Sequence, residues 1–387
     1  MKELQEEISE YQDIDDTAAY KVQDIVVYSR DWTIGTIFDQ IDQGNIELNP
    51  KFQRRNAWTD SKRSKLIESI IMGYPIPEIV LAEDKTKKRS YIVIDGKQRL
   101  LTLAGFIDNG KYGYWDVPKL SGITIDKDVK GMTYDDFKND TDLRRNFENA
   151  ALRCTVIMNY STDDVLYDIF YRLNAGSTPL SSQELRQSLY RGGFSNFLLD
   201  VTSRDSLLWN VMGIDEADKR LRDVEVLLRL MAFIEYGKSY QGNLRQFLDK
   251  SMKDFNVLWE SNAEVLKDLY NRIIHTIAVL NEVFKCLEHV GRKYKNGSFE
   301  KKFNRVMLEI QVFFFYHLPD NAANAQKNEI FVNKLIDLCT NDSQFLASFE
   351  GSTKNINQYK IRYSRFQKIF NESYNLSLDI NPFGDPQ

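Results

Sequence analysis

The hydrophobic pattern of the chain changes near residue 195, and this change constrains the fold more than any other feature. Before it, short β-branched runs such as residues 90–94 alternate with helical segments and turn residues. After it, apolar residues recur with the helical period, as in the stripe of Val224, Leu227, Leu228 and Met231. The sequence therefore predicts an α+β fold in which a mixed part precedes an all-helical part.

The 387 residues are enough for two compact domains. We predict an acidic arm over residues 1–25, an α+β domain with a small mixed sheet over residues 26–194, and an all-α domain over residues 195–387. In the second segment, strands are predicted over residues 78–83, 90–94 and 152–159, and helices over residues 33–44, 60–72, 98–108 and 162–172. Ser181-Ser182-Gln183-Glu184 has the pattern of a capping box that opens a further helix. Residues 111–150 have no clear pattern.

Cysteine content and hydropathy indicate the cellular compartment. The three cysteines, Cys154, Cys286 and Cys339, are odd in number and far apart, which fits neither a disulfide framework nor zinc-ligand spacing. The acidic start differs from a signal peptide, and no apolar run approaches the ~20 residues that span a bilayer. We expect a cytoplasmic protein without a membrane partner.

Charge is unevenly distributed along the chain. Residues 1–50 contain three Lys or Arg and twelve Asp or Glu, whereas residues 51–100 contain twelve Lys or Arg and six Asp or Glu. The net charge of the whole chain is -5. The basic block suits a polyanionic ligand such as a nucleotide or DNA, although exposed Lys and Arg also solubilise a surface.

Asp95-Gly96 separates a predicted strand from a predicted helix. The first backbone N–H groups of a helix and its dipole favour an anion at that point. Lys97 and Arg99 stand in the first turn, where their charge opposes the dipole, which suggests an anionic partner. Asp95 has the chemistry to orient an arginine or to hold a metal ion bridged to phosphate. An ordinary Asp-Gly turn is the alternative.

Two other segments carry candidate ligands for phosphate. Gln53, Arg54 and Arg55 lie between Phe52 and Trp58, a combination that suits phosphate clamping or base stacking, while the two aromatic rings also suit core packing. In the other segment, Arg172 and Asn174 end a predicted helix, and helix capping alone accounts for both residue types.

These segments resemble the bacterial family of ParB/sulfiredoxin-like domains with a DGQQR signature. Such domains form the N-terminal part of GmrSD-type modification-dependent restriction enzymes and of SspE-like phosphorothioation-sensing defence proteins. The resemblance spans about residues 30–190 and rests on three ordered motifs, which are Asn49-Pro50-Lys51-Phe52-Gln53-Arg54-Arg55 with Trp58, Ile94-Asp95-Gly96-Lys97-Gln98-Arg99-Leu100, and Phe170 with Arg172-Leu173-Asn174. Lys97 departs from the family, which usually has glutamine at this position.

The resemblance implies a nucleoside triphosphate, with Mg²⁺, bound and hydrolysed at the glycine turn and coupled to sensing of DNA. Asp95, Gln98 and Arg99 would be catalytic, and Asp95 would also hold the metal. The nucleotide would be bound by Gly96, Lys97, Gln53, Arg54, Arg172 and Asn174. The implied partners are DNA, either plain or modified, and a separate nuclease or methyltransferase. The long apolar stripes after residue 195 suit a homodimer as well as a core.

Four other functions are alternatives to this one. The HNH nuclease of GmrSD-like proteins is not expected, because His275, His289 and His317 lack the His-Asn-His arrangement and suit packing. A sulfiredoxin activity is excluded by the lack of a cysteine in the turn. Glu78, Glu83 and Lys85 form a faint nuclease-like pattern that would need Mg²⁺. A non-catalytic adaptor that binds DNA or a protein also remains open.

Overall fold

The computed structural model describes most of the chain. The described residues are 25–48, 58–85, 87–125, 128–173, 181–349 and 356–384. Among them, contacts between residues define two compact units that divide between Leu189 and Tyr190. Each unit is described by itself below.

The first unit is built on a four-stranded mixed sheet. Its strands are β1 (Val26–Thr33), β2 (Ile79–Glu83), β3 (Tyr91–Asp95) and β4 (Ala151–Met158), in the order β1-β4-β2-β3. The β1–β4 and β2–β3 pairs are antiparallel, and the β2–β4 pair is parallel. The helices are α1 (Ile34–Asp42), α2 (Asp60–Ile71), α3 (Lys97–Ile107), α4 (Asn109–Tyr112), α5 (Tyr134–Asn139), α6 (Thr141–Glu148), α7 (Asp163–Leu173) and α8 (Ser182–Leu189).

Both faces of this sheet carry a hydrophobic core. One face presents Ile79, Leu81 and Val93, which pack with the apolar residues of α1, α2 and α3. The other face presents Val80 and Ile92, which pack with the apolar residues of α7 and α8. Because successive side chains of a strand point to opposite faces, the unbroken apolar runs of β2 and β3 are accounted for by burial on both sides.

Local sequence signals located most helices of this unit. Thr33 and Thr59 accept hydrogen bonds from the amides of Thr36 and Lys62 and thereby cap α1 and α2. The capping box before α8 is also confirmed: Ser181 Oγ accepts from the Glu184 amide at 3.1 Å, and Glu184 Oε2 accepts from the Ser181 amide at 2.6 Å.

Four elements of this unit did not emerge from the sequence pattern, namely β1 and the short helices α4, α5 and α6. β1 is largely exposed, and within it only Tyr28 and Trp32 pack against a core, so its residues give a weak alternating signal. The helices α5 and α6 lie in the segment whose pattern was unclear, and with six and eight residues they are too short to show a period. Their caps, Thr133 and Asp140, are the local features that mark them.

The second unit is almost entirely helical. Its helices are α9 (Gly193–Thr202), α10 (Ser206–Met212), α11 (Arg222–Tyr236), α12 (Leu244–Phe284), α13 (Arg305–Tyr316), α14 (Ala325–Asn341), α15 (Ser343–Ala347) and α16 (Ile356–Tyr374), with 3₁₀ turns at Gly237–Ser239 and Leu287–His289. The backbone of α12 is interrupted at Asn262, where φ is −156° and ψ is 79°. The stripe predicted on α11 is buried.

One small hairpin corrects the expectation that strands end near residue 195. The strands β5 (Tyr294–Lys295) and β6 (Ser298–Phe299) pair antiparallel. Asn296 and Gly297 connect them, both with positive φ, as a two-residue hairpin turn requires. Strands of two residues are too short to produce an alternating pattern, and only the Asn-Gly pair signals them.

A buried ion pair lies in the helical core of the second unit. Arg229 of α11 donates from Nη2 to Glu309 Oε2 of α13 at 3.0 Å, and each side chain is only 1% exposed. In the same core, aromatic rings such as Phe314, Phe331 and Phe370 pack at centroid distances of 5.5–6.3 Å.

The order of the elements, a small mixed sheet with its helices followed by a helical unit, confirms the predicted α+β fold.

The described part of the chain contains neither a membrane-spanning helix nor a cluster of metal ligands. None of its helices combines the length and apolar character that crossing a bilayer requires. The same residues contain no group of three or more His, Cys, Asp or Glu side chains placed to hold a metal ion.

Candidate functional site

The glycine turn joins β3 directly to α3, as predicted. β3 ends at Asp95, α3 begins at Lys97, and Gly96 between them is left-handed, with φ 90° and ψ 9°. A Cβ on residue 96 would lie 2.6 Å from Ile79 Cδ1. The positive φ therefore favours glycine at this position, and a Cβ there would also force the Ile79 side chain to shift.

Arg99 reaches back across the turn to two acceptors. Its Nη2 donates to Asp95 Oδ2 at 2.7 Å and to the Glu78 carbonyl at 2.9 Å. The two ion-paired side chains are 14% and 35% exposed for Arg99 and Asp95, respectively. This pairing revises the argument that the charge of Arg99 needs an external anion, since Asp95 already offsets it within the chain.

Two polar atoms at the turn are buried without a hydrogen-bond partner among the described residues. They are the amide oxygen Oε1 of Gln98 and the Nε of Arg99. Leaving such a group unsatisfied costs about 1–3 kcal/mol. The turn thus contains one acceptor, on Gln98, and one donor, on Arg99, whose hydrogen-bonding capacity the described residues leave unused.

Lys97, the residue that departs from the family signature, is the first residue of α3 and is buried. Its aliphatic stem is therefore packed, and it does not extend freely into solvent. Thr102 Oγ1 donates to the Gln98 carbonyl at 2.7 Å and so braces the next turn of the helix.

A row of polar side chains lies on β1 and β4 and adjoins the turn through Glu78. We call this row the polar strip; its members are Ser29, Asp31, Arg153 and Thr155. The carboxylate of Glu78 accepts from Thr155 Oγ1 at 2.7 Å, while its carbonyl accepts from Arg99. Thr155 Oγ1 also lies 2.9 Å from Ser29 Oγ. Glu78 thus connects the polar strip to the turn. The sequence around Glu78 does not signal this role, because the contacts depend on the order of the strands in the sheet.

An exposed ion pair continues the strip. Arg153 donates from Nε and Nη2 to the two carboxylate oxygens of Asp31 at 3.0 and 3.2 Å. Hydrogen bonding to Arg153 lowers the pKa of Asp31, and the same bond raises the pKa of Arg153. Both groups stay charged over the whole neutral range.

The other predicted nucleotide ligands are not assembled at the turn by the described residues. Arg172 lies on α7, is 79% exposed and pairs with Asp168 one helical turn earlier. Gln53, Arg54 and Asn174 lie outside the described residues. Trp58 packs against the core between the sheet and the helices α1, α2 and α3. Lys62 Nζ lies 4.6 Å from the centroid of the Trp58 ring, and both contacts fit a packing role for Trp58.

The geometry argues against a nuclease that uses Glu78, Glu83 and Lys85. Glu78 precedes β2 and Glu83 ends it, and at ~3.3 Å per residue the two lie roughly 17 Å apart along the strand. Lys85 Nζ instead donates to the Ser161 carbonyl and lies 4.0 Å from the ring centroid of Tyr160. These three side chains cannot share one metal ion.

The three histidines lie in separate places. His289 stacks on Phe299 with centroids 4.4 Å apart, and His317 Nδ1 lies 2.8 Å from the Phe313 carbonyl. The first is a packing contact and the second is a hydrogen bond to the backbone of the same helix end. His275, by contrast, is exposed on α12, so the packing expectation does not hold for it.

Comparison with known proteins finds a family match for part of the chain. Residues 34–191 match the family model described as the N-terminal domain of the GmrSD restriction endonuclease. The matched segment begins at α1 and ends just beyond α8, and it contains the turn at Asp95 and Gly96. Neither the curated proteins nor the solved structures contain a match to the chain.

Proposed function

Because the chain carries a domain of the GmrSD N-terminal family, we propose that it is the nucleotide-dependent, DNA-sensing component of a bacterial restriction or anti-phage defence system. The proposed chemistry is binding and hydrolysis of a nucleoside triphosphate at the turn between β3 and α3. The observation that carries the proposal is the fixed arrangement of Asp95, Gly96 and Arg99, with an unsatisfied donor and an unsatisfied acceptor beside it.

The start of α3 supplies the attraction for phosphate. Gly96 has no side chain to cap the first amides of this eleven-residue helix. We assign the phosphates to the amides that follow Gly96, with Lys97 and Arg99 supplying positive charge.

Asp95 and Glu78 fix the guanidinium of Arg99 before a ligand arrives. A group held in advance loses little freedom on binding, and this favours its use as a phosphate ligand. Nη2 serves the two protein acceptors, whereas Nε is buried without a partner among the described residues. The remaining donors of the fork are the ones assigned to the triphosphate.

Mg²⁺ fits this site only as an ion shared with the nucleotide. The described residues offer no cluster of three metal-binding side chains, and Asp95 is the carboxylate in the turn. Mg²⁺ commonly takes one or two carboxylates together with substrate phosphates and water. Asp95 would hold the ion in this way, and the bound ion would neutralise charge on the phosphates.

In the proposed hydrolysis, a water oxygen bonds to the γ-phosphorus while the bond to the β–γ bridging oxygen breaks. The products are a nucleoside diphosphate and inorganic phosphate. Gln98 Oε1 is an acceptor without a partner among the described residues, and we assign it the orientation of the attacking water. Asp95 would accept or relay the proton of that water.

Further contacts are proposed for residues that the resemblance implicates. Arg54 and Arg172 would close over the terminal phosphate or contact DNA, and Gln53 and Asn174 would complete the nucleotide site. Arg172 is accessible for such a role. DNA cleavage or methylation itself would belong to a partner nuclease or methyltransferase.

The decisive experiment measures phosphate release from ATP, GTP, CTP and UTP, with and without plain or modified DNA. Wild type is compared with Asp95→Ala and Arg99→Ala. The matched control is the exposed Asp200–Arg204 pair, which has the same residue types and spacing in the second unit. We expect turnover in wild type and in Asp200→Ala and Arg204→Ala, and none in the two turn variants.

A non-catalytic adaptor is the second candidate. It is favoured by the ion pair itself, because Asp95 already engages Arg99 and is therefore less available to a metal ion or to water. Nucleotide binding that depends on Arg99 without any turnover would establish the adaptor. If neither binding nor turnover depends on Arg99, the turn is structural and the proposal is wrong.

A further inference from the structure

A basic cavity lies in the second unit, outside the segment that matches the family. Its volume is about 460 Å³, within the range of small-ligand sites. Five of its lining residues are cationic, namely Arg222, Arg292, Lys301, Lys302 and Arg305, and none of the described lining residues is a carboxylate. This local charge contrasts with the net charge of -5 of the chain.

Arg292 is the unusual member of this set. Its side chain is only 4% exposed, yet all the acceptors that the structure gives it are carbonyls. Nη1 donates to the carbonyls of Val290 at 3.0 Å and Gly291 at 3.3 Å, and Nε donates to that of Lys301 at 3.3 Å. Among the described residues, no carboxylate pairs with this guanidinium.

The free end of Arg292 points into the cavity. Nη2 has no hydrogen bond among the described residues and lies 3.7 Å from where a Cβ of Gly213 would be, and Gly213 lines the same cavity. Burial lowers the pKa of Arg292, because the charged form loses hydration. A bound anion would offset that loss.

Two further arginines of the cavity wall, Arg222 and Arg305, form ion pairs with buried carboxylates. Arg222 Nη2 lies 2.7 Å from Asp218 Oδ2, and Arg305 Nη1 lies 3.1 Å from Glu225 Oε1. Both carboxylates are buried and do not line the cavity. They therefore neutralise part of the charge and also orient the guanidinium groups.

The same cavity lies at the start of two helices. Arg222 is the first residue of α11 and Arg305 the first residue of α13, so the positive ends of both helix dipoles are directed toward it. Several first-turn amides are already satisfied, for example that of Met307 by Asn304. The dipoles therefore add to the field of the cations without supplying the hydrogen bonds.

From this arrangement we infer that the cavity binds a phosphate group carried by a nucleotide. Arg292, Lys301 and Lys302 contribute the charge, and the apolar part of the wall, which includes Met212, Ile214 and Phe303, suits a sugar or base. The phosphate belongs either to a free nucleotide or to an unpaired nucleotide of a DNA strand. Both present the same phosphate ester to the same cations.

The test uses the full chain carrying Arg99→Ala, which removes the binding proposed for the turn. Two probes are titrated at about 0.15 M salt, a fluorescent ATP analogue and a fluorescein-labelled single-stranded decanucleotide. Inorganic pyrophosphate is added as competitor. We expect saturable binding of at least one probe and its displacement by pyrophosphate, and the probe that binds tells which source the phosphate has.

Charge reversal within the hairpin region supplies a matched control. Lys301→Glu removes a lining cation, and Lys295→Glu makes the same change on β5, outside the lining. We expect Lys301→Glu to weaken binding about tenfold and Lys295→Glu less than about twofold, since loss of one charged hydrogen bond is worth about a tenfold change. Arg292→Lys, with folding checked by circular dichroism, should also weaken binding about tenfold.

Two outcomes would overturn the inference. One is the lack of saturable, pyrophosphate-sensitive binding of either probe. The other is equal loss in Lys295→Glu and Lys301→Glu, which would mean that surface charge in general attracts the probe. Because the turn is disabled throughout, neither outcome bears on the function proposed for Asp95 and Arg99.

Discussion

Arg99 Nη2 lies 2.7 Å from Asp95 Oδ2, so that the two charged residues of the turn hold each other across Gly96. The carboxylate orients the guanidinium and also reduces its net attraction for an anion. Removing the charge of Asp95 should therefore affect nucleotide binding and hydrolysis in opposite ways.

The substitution Asp95→Asn should separate nucleotide binding from nucleotide hydrolysis. The variant keeps an acceptor for Arg99 but removes the negative charge beside the phosphates, so we expect nucleotide affinity to be unchanged or increased. Phosphate release should fall by about a hundredfold or more, because the metal ligand is lost. Measuring Kd and kcat on the same protein checks both. An equal loss in affinity and in kcat would contradict the roles assigned here.

Gly96→Ala should destabilise the first unit more than Gly44→Ala does. Both glycines have positive φ, which costs an L-residue about 1–2 kcal/mol. Only at Gly96 would the new Cβ meet Ile79, and overpacking adds about 1–3 kcal/mol. Urea unfolding followed by tryptophan fluorescence measures the difference, and equal losses in the two variants would refute the close approach of β2.

Removing one partner of the Arg229–Glu309 pair should lower the free energy of unfolding strongly, whereas replacing both partners by apolar residues should lower it little. Arg229→Met leaves Glu309 charged and buried, for which about 3–5 kcal/mol of unfolding free energy should be lost. The double variant Arg229→Met/Glu309→Leu should recover most of that loss. Lys267→Met, which breaks the exposed Lys267–Glu264 pair, is the control and should cost less than about 1 kcal/mol. Denaturant titration of the four proteins tests this order.

The cysteines should differ in reactivity. Burial raises the pKa of Cys154 to about 12 and that of Cys339 to about 11, whereas Cys286 is partly exposed. Since the thiolate is the reactive form, iodoacetamide at about pH 8 should label Cys286 alone in the folded protein and all three cysteines in urea. Mass spectrometry of the labelled peptides gives the answer. Rapid labelling of folded Cys154 would contradict its burial.

The same two thiols predict a loss of stability in alkali. Their pKa values in the folded protein lie above the ordinary value of 9.0, so the folded state retains protons that the unfolded state releases. The stabilising contribution is complete below about pH 9 and declines as the pH rises toward 11 and 12. In Cys154→Ala, the fall in unfolding free energy over this range should be smaller than in wild type.

The sequence located the turn but not its partners. Asp95, Gly96 and the start of α3 are contiguous, so a β-branched run followed by Asp-Gly and a helical stripe was sufficient to find them. The second acceptor of Arg99 is the carbonyl of Glu78, which comes close only because β2 lies beside β3. Strand order is set by the whole sheet and is not encoded in a local pattern.

The basic cavity illustrates the same limit. Arg222 and Arg305 are far apart in the sequence, and their helices bring them to one place. The one local signal is the basic stretch from Arg292 to Arg305, which reads as an ordinary solvated surface until its members are seen to line a cavity.

The pairing of β1 with β4 has a consequence for synthesis. It joins Val26 to Met158 and Thr33 to Ala151, so the sheet stays incomplete until the ribosome has made more than a hundred residues beyond β1. Closing so long a loop slows folding, because chain entropy is lost before the contacts form. During that interval the nascent chain carries β2 and β3 with one edge unpaired, and an unpaired strand edge is a site at which chaperones bind and aggregation begins.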